Sequence, residues 1–179
     1  RDRIVKIALF DMDGTLTEAR QTISPEMVDA LDALSYFCDI GIVTGSGLSY
    51  VKEQVHDLVV NNEAVKLFPC NGTQAWHYRS DNGFEQTYNV SMMEEIGEGK
   101  LRALCGFLLQ QQLLCISDFP EMPVTGDFIV NRGSCMEGGN DKSLYDVINT
   151  DQHGAALQVH TVKQTLDTIY NKLIPHFKE

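Results

Sequence analysis

The feature that most constrains the fold is an apolar run near the amino terminus that ends in two closely spaced carboxylates. Residues 4–10 read IVKIALF, a mostly apolar, β-branched stretch with the length of a buried strand. Asp11, Asp13 and Gly14 follow directly. If the run is a strand, both carboxylates lie at the carboxyl edge of a sheet, where open α/β folds bind their ligands. Asp and Gly are also ordinary turn residues, so a polar turn without a ligand is the alternative.

Strand and helix patterns alternate through the first half of the chain. Ser24 and Pro25 predict a helix start, because Ser caps helices and Pro is tolerated at the first helical position. Buried strands are predicted at 40–43 and 66–69, with a helix between them. This alternation predicts an α/β fold built on a doubly wound parallel sheet. The apolar positions that mark the two helices are Met27, Leu31 and Leu34, and then Tyr50, Val51 and Val55.

The pattern changes from about residue 85 onward. A helix is predicted at 100–114, with an apolar stripe of leucines and Cys105. Strands are predicted at 88–90 and 128–132 on either side of it. Toward the carboxyl terminus, the predictions are a helix at 142–147, a last strand at 155–159 and a closing helix at 162–173.

Bulk composition excludes several classes of partner. The formal net charge of −11 argues against nucleic acid and against anionic membranes. No apolar run approaches the ~20 residues of a membrane span, so we expect neither a membrane span nor a signal peptide. The five cysteines contain no Cys-x-x-Cys pair, which predicts reduced, mostly buried thiols in a cytoplasmic protein. Because the first residue is Arg1 and not Met, we expect that the start was trimmed or not seen.

Longer strings in this chain resemble a known superfamily. DMDGTLT resembles the nucleophile motif of the haloacid dehalogenase superfamily of phosphoryl-transfer enzymes. DGTLTEARQTISPEM and GIVTGSGLSYVKEQV are similar to eukaryotic-type phosphomannomutases within it, and the likeness covers most of 4–133 and returns at 138–170. The resemblance implies a Rossmann-like core at 1–84 and 134–179, with an inserted α/β cap at 85–133.

The resemblance breaks at Gly133. The motif GGND at 138–141 follows almost at once, although the family carries the rest of its cap, a catalytic lysine and a strand ending in Gly-Asp before that motif. We therefore expect that tens of residues are missing near 133–136, so that the cap is only partial. Either these residues were disordered and the numbering continues across the gap, or they were lost from the gene.

The resemblance implies roles for three aspartates. Asp11 is the expected nucleophile, which forms an aspartyl-phosphate, and Asp13 is the expected proton shuttle to the sugar oxygen. Because two adjacent carboxylates repel each other, Mg²⁺ is expected to keep Asp11 charged beside a phosphate. Asp141 is the remaining acidic candidate for the metal, and an N-cap for the helix that follows is its alternative role.

Phosphate-binding candidates lie at two places in the core. Gly14 belongs to the nucleophile motif, and Thr44, Gly45 and Ser46 lie between a strand and a helix N-terminus, where hydroxyl and N–H groups suit a phosphoryl group. Capping of that helix by Ser46 is the other role considered, and the two roles can hold at once. Eukaryotic phosphomannomutases have glycine in place of Thr44, whereas phosphatases of the superfamily have Thr or Ser.

Two arginines match phosphate clamps of the mutases, Arg20 in the core and Arg132 on the cap. An arginine fork binds phosphate oxygens in pairs, although a lone surface arginine is usually just solvated. The resemblance therefore implies a phosphomannomutase-like enzyme that interconverts mannose 6-phosphate and mannose 1-phosphate, with a homodimer through the cap as a possible assembly. The alternatives are a sugar-phosphate phosphatase and a catalytically inactive sugar-phosphate-binding protein.

Overall fold

The structure is a computed structural model that describes residues 6–118, 142–150 and 154–178. Its strands are β1 (Ile7–Asp11), β2 (Asp39–Val43), β3 (Val65–Phe68), β4 (Gln74–Arg79) and β5 (Gly83–Asn89). Its helices are α1 (Pro25–Ser35), α2 (Leu48–Asn61), α3 (Met92–Ile96), α4 (Glu98–Asp118), α5 (Lys142–Thr150), α6 (Val162–Thr168) and α7 (Ile174–Lys178), with a π-helical turn at Ile169–Leu173 between the last two.

The chain divides into two compact units. The first comprises Arg1–Val90 and Val159–Glu179, and the second comprises Ser91–Gln158. The boundary expected after residue 84 falls within β5, which pairs with β4 in the first unit. The assignment of core and cap domains remains a prediction.

Five strands form one sheet in the order β1-β2-β3-β4-β5. The first three are parallel, as predicted, and β4 and β5 add an antiparallel hairpin. The strand predicted at 88–90 is the end of this hairpin and begins earlier, at Gly83. The sequence does carry a signal for the hairpin, because residues 80–82 form a short loop between the paired Arg79 and Gly83, and Gly83, with a φ of 76°, has the left-handed conformation that such loops require of a glycine. The parallel strands with their helices confirm the predicted α/β class.

The first helix begins where the sequence predicts. The Ser24 hydroxyl accepts a hydrogen bond from the Met27 N–H at 3.3 Å, and Pro25 occupies the first helical position. Met27, Leu31 and Leu34 are all fully buried against the sheet. Capping and hydrophobic spacing are therefore sufficient to predict α1.

The first strand departs from its prediction as a buried strand. Ala8 and Phe10 join the core, whereas Ile7 and Leu9 are 43% and 58% exposed. The cause is the alternation of side chains along a strand, since α1, α2 and the carboxyl-terminal helices pack on the face that carries Ala8 and Phe10.

Gly41 lies beneath two side chains on the other face of the sheet. A Cβ atom there would lie 2.5 Å from the Leu9 side chain and 2.9 Å from the Phe68 ring. These two side chains therefore close over the backbone of β2 in space that any larger residue would fill.

The last strand predicted, at 155–159, is wrong. This segment has no regular structure, and the Ala156 N–H donates to Asn149 Oδ1 at 2.7 Å. A short apolar run becomes a strand only when a neighbouring strand pairs with it, and here the Ala156 N–H is bonded to a side chain of α5. The strand predicted at 128–132, the break near 133–136 and the GGND motif at 138–141 lie outside the described residues.

The helices of the second half extend beyond their predicted bounds. The helix predicted at 100–114 is α4, and the helix predicted at 142–147 is α5. The stripe on α4 is not buried, since Leu104, Leu108 and Leu109 are 39%, 53% and 61% exposed. In the portion of the chain that is described, none of the helices combines the length and apolar character required to cross a bilayer.

The described cysteines are free thiols in three different environments. Cys38 is buried, Cys70 is half-buried and Cys105 is exposed, so among these three the prediction of burial holds for Cys38 alone. Burial raises the pKa of the Cys38 thiol to about 11. Cys38 is therefore a core side chain and not a reactive nucleophile.

Candidate active site

The loops after three parallel strands start side by side at the carboxyl edge of the sheet. Asp11, the last residue of β1, is in register with Val43, and Val43 is in register with Phe68. The loop that begins after Val43 opens with Thr44, and the loop after Phe68 leads to Asn71. The sheet thus brings residues that are far apart in sequence to one edge, as expected of a parallel α/β fold.

A tight loop presents the two aspartates. The Met12 carbonyl accepts hydrogen bonds from the N–H groups of Thr15, Leu16 and Thr17 at 3.2, 2.9 and 3.0 Å. The Gly14 N–H donates to the Thr17 carbonyl at 2.7 Å, and the φ of 80° at Gly14 explains the glycine of the motif. Met12 and Leu16 are fully buried and anchor the loop.

The two carboxylates have different surroundings. The Arg20 backbone N–H donates to Asp13 Oδ1 at 3.0 Å, which fixes the Asp13 carboxylate from the backbone. Asp11 is exposed at the end of β1, and the Thr15 hydroxyl is 3.4 Å from its Oδ2. The exposed Asp11 carboxylate suits a nucleophile, and the Asp13 carboxylate, held by a backbone N–H, suits a proton donor.

The loop after β2 is built around Thr44. This side chain is 5% exposed, and its hydroxyl accepts a hydrogen bond from the Ser46 N–H at 3.2 Å. Helix α2 begins after Gly47, which makes no side-chain capping bond, so the alternative of capping by Ser46 is wrong. The uncapped N–H groups at the start of α2 suit an anion. Contacts of Thr44, Gly45 and Ser46 with phosphate remain predictions.

The sequence analysis missed Asn71. Its N–H donates to the Thr44 carbonyl at 2.8 Å, and the neighbouring Cys70 N–H donates to the Ser46 carbonyl at 3.0 Å. Cys70 and Asn71 both adopt left-handed backbone conformations, with φ of 52° and 56°. A Cβ atom at Gly45 would lie 3.2 Å from Asn71 Oδ1, so Gly45 lets this side chain approach. The Asn-Gly pair after a strand marks this turn in the sequence.

A buried polar pair fastens the aspartate loop to α2. Thr17 and Gln54 are 2% and 4% exposed, and the Thr17 hydroxyl donates to Gln54 Oε1 at 3.0 Å. The Gln54 carbonyl also accepts a hydrogen bond from the Ile23 N–H at 2.8 Å. Sequence reasoning missed this pair because a glutamine on a helix has no feature that predicts burial.

Arg20 contributes to a small cavity beside this loop. The cavity has a volume of about 150 Å³ and is lined by Arg20, Ser46, Gly47, Tyr50 and Gln54. The Arg20 guanidinium carbon lies 5.8 Å from the centre of the Tyr50 ring. Arg20 and Ser46, which were both predicted to bind phosphate, therefore lie on the same cavity.

The predicted metal site is described only in part. Asp11 and Asp13 offer carboxylate oxygens, the ligands that Mg²⁺ prefers. Within residues 6–118, 142–150 and 154–178, no three acidic, histidine or cysteine side chains form a group that could hold a metal. Asp141, the third predicted ligand, and Arg132, the predicted cap clamp, lie outside the described residues. The two aspartates thus fit a partial, oxygen-only site for a hard cation.

Comparisons with known proteins show which families this chain resembles. Residues 8–113 match the haloacid dehalogenase-like hydrolase family. The chain is 37% identical over 139 residues to a phosphomannomutase of Schizosaccharomyces pombe, across 75% of the chain and 47% of that protein. It is 35% identical over 171 residues to a phosphomannomutase of Glycine max, across 95% of the chain and 65% of that protein. The chain therefore spans about half to two thirds of the length of these relatives.

Solved structures show the same fold. An IMP-bound, N-terminally truncated IMP-nucleotidase of Plasmodium falciparum superposes with a TM-score of 0.66, at 10% identity, over 96% of this chain and 68% of that one. At this level of identity the likeness concerns the fold alone.

Proposed function

The chain belongs to the haloacid dehalogenase-like hydrolase family, and from this premise we propose that it transfers phosphoryl groups of hexose phosphates through Asp11. The observation that carries the proposal is the pair of carboxylates at the carboxyl edge of the sheet, with Asp13 anchored by the Arg20 N–H at 3.0 Å. Both carboxylates belong to one loop, so a substrate phosphate bound at this edge would meet both of them.

The proposed reaction has two halves. In the first, an Asp11 carboxylate oxygen attacks phosphorus, the bond from phosphorus to the sugar oxygen breaks, and Asp13 gives its proton to that oxygen. In the second, the Asp13 carboxylate takes a proton from an acceptor hydroxyl, whose oxygen attacks the phosphorus of the aspartyl-phosphate and releases Asp11. A sugar hydroxyl as acceptor makes the enzyme a mutase, and water makes it a phosphatase.

We propose Mg²⁺ as the cofactor, held by Asp11, Asp13 and Asp141. When bound, it would neutralise charge on the transferring phosphoryl group. Gly14, Thr44, Gly45 and Ser46 would receive the phosphate, in line with the uncapped start of α2.

The preferred substrate pair is mannose 6-phosphate and mannose 1-phosphate. The similarity to the phosphomannomutases of Schizosaccharomyces pombe and Glycine max supports this choice. A mutase must retain a hexose bisphosphate while it turns over, which requires clamps at both ends of the ligand. Arg20 would serve as the core clamp and Arg132 as the cap clamp. The proposal places the enzyme in the cytoplasm, with a homodimer through the cap as a possible assembly.

A sugar-phosphate phosphatase is the second candidate function. Thr44 favours it, because phosphatases of the superfamily have Thr or Ser where eukaryotic phosphomannomutases have glycine. A catalytically inactive sugar-phosphate-binding protein is the third, and it gains support if the gene lacks the lysine and the Gly-Asp motif expected near 133–136. Sequencing the complete gene separates it from the other two.

The covalent mechanism predicts that Asp11→Asn abolishes turnover and leaves folding intact. Removing a catalytic nucleophile lowers kcat by roughly 10⁴-fold or more. Asp57→Asn on the exposed side of α2 is the matched control and should keep full activity. Retained turnover in Asp11→Asn, with an unchanged thermal midpoint, would refute the aspartyl-phosphate.

One assay separates mutase from phosphatase. Mannose 1-phosphate is supplied with a hexose bisphosphate activator and Mg²⁺, and both mannose 6-phosphate and free phosphate are followed. Isomer formed with little free phosphate, and lost in Arg132→Ala, identifies a mutase. Steady release of phosphate without isomer identifies a phosphatase.

A further inference from the structure

We propose that Tyr50 is a positioning residue for Arg20, whose guanidinium it holds at the rim of the candidate active site. Tyr50 would thereby set the affinity for the phosphate ester. The inference rests on the proposed function, because it takes Arg20 as a phosphate ligand. It is carried by the contact between the two side chains, by the backbone of Arg20 and by the cavity that both residues line.

The backbone of Arg20 is held in an unfavourable conformation. Its φ is 61°, in the left-handed region that residues with a side chain rarely adopt. The hydrogen bond from its N–H to Asp13 Oδ1, at 3.0 Å, is the contact that accompanies this conformation. The Arg20 side chain therefore leaves the chain from a point that is fixed relative to the Asp13 carboxylate.

The guanidinium of Arg20 lies over an aromatic ring. Its guanidinium carbon is 5.8 Å from the centre of the Tyr50 ring, within the range of a cation–π contact. Among the ion pairs between described residues, none involves Arg20. An aromatic face orders the guanidinium without neutralising its charge, whereas a carboxylate would compete with phosphate for its N–H groups.

The position of Tyr50 on α2 explains how the ring reaches Arg20. Tyr50 is the third residue of α2, and side chains on a helix lean toward its N-terminus. The ring therefore borders the cavity of about 150 Å³ beside Ser46 and Gly47, at the uncapped end of the helix. A phosphate ester in this cavity would meet a guanidinium that is already ordered, so less side-chain entropy is lost on binding.

The test is a double-mutant cycle on ligand affinity. The dissociation constant of mannose 6-phosphate is measured by calorimetry with Mg²⁺ for wild type, Arg20→Ala, Tyr50→Ala, and the double variant. Loss of an exposed cation–π contact should weaken binding about 2- to 5-fold in Tyr50→Ala. Tyr50→Phe keeps an aromatic face and should stay within about twofold of wild type. In the Arg20→Ala background, Tyr50→Ala should have no further effect.

The control variant is Tyr36→Ala, since Tyr36 is 86% exposed just after α1 and should leave the dissociation constant unchanged. Unchanged affinity in Tyr50→Ala, or equal losses in both backgrounds, would overturn the positioning role. In active protein, KM should rise in Tyr50→Ala while kcat stays within about twofold, because the contact acts on binding.

Failure of the proposed function gives a different result from failure of this inference. If the wild-type protein binds the hexose phosphate without turnover and shows the coupling, Tyr50 remains a positioning residue and the enzymatic proposal is refuted. Turnover without coupling sinks only the role of Tyr50. Wild type that binds neither mannose 6-phosphate nor inorganic phosphate sinks both.

Discussion

At the scale of single residues, the hydrogen bond between Thr17 and Gln54 contributes to the stability of the fold and also holds the aspartate loop of the candidate site against α2. The Thr17 hydroxyl donates to Gln54 Oε1 at 3.0 Å, and both side chains are almost completely buried. Thr17→Val keeps the shape and leaves the Gln54 oxygen without this donor, which should lower the free energy of unfolding by about 1–3 kcal/mol. Urea denaturation measures the loss. Thr87→Val, which removes an exposed hydroxyl 3.3 Å from the Ala75 carbonyl, should change it by less than about 0.5 kcal/mol.

The positions of residues could be predicted where the informative contacts are local, whereas the catalytic roles stay predictions. Asp11, Asp13 and Gly14 belong to one short loop, so their spacing in the sequence is enough to predict that they lie together. The contacts of Tyr50 and Asn71 were not predicted, because their partners, Arg20 and the Thr44–Ser46 loop, are tens of residues away in sequence. Only the register of the parallel strands brings such partners together.

At the scale of elements, the β4–β5 hairpin depends on its turn glycine. Gly83 has a φ of 76°, and a Cβ atom there would meet no neighbouring atom, so the cost of a side chain is in the backbone alone. Gly83→Ala should therefore lower the free energy of unfolding by about 1 kcal/mol. Gly106→Ala in α4 is the matched control with the opposite sign, because Ala is the better helix former by about 1 kcal/mol. Equal effects in thermal unfolding of the two variants would contradict this account.

Elements with strong local signals could be predicted from the sequence, and elements that depend on a partner could not. The cap at Ser24 and the apolar spacing of α1 are properties of neighbouring residues, and they were confirmed. The run at 155–159 has the composition of a strand, but the Ala156 N–H within it donates to a local side chain. Strand formation requires a second strand at the right distance, which no local pattern records.

At the scale of the whole molecule, the net charge of −11 works against an anionic substrate. Long-range repulsion is screened as salt shortens the Debye length from about 30 Å at 0.01 M to about 8 Å at 0.15 M. We expect kcat/KM for the hexose phosphate to rise by less than about tenfold over this range, at constant free Mg²⁺. A fall in kcat/KM would show that local positive groups, such as Arg20, dominate the approach of the substrate. An analogue that lacks the phosphate is uncharged, so its dissociation constant is the control and should not change with salt.

The close packing of Leu9 and Phe68 over Gly41 has a consequence for how this chain can change over time. A methyl group at position 41 would overlap both side chains as they stand, so substitution there requires Leu9 or Phe68 to move aside or to become smaller. The three positions come from three different strands, and their histories are therefore linked although their codons are far apart. In related chains that carry alanine or a larger residue at the position of Gly41, we expect a smaller side chain in place of Leu9 or Phe68.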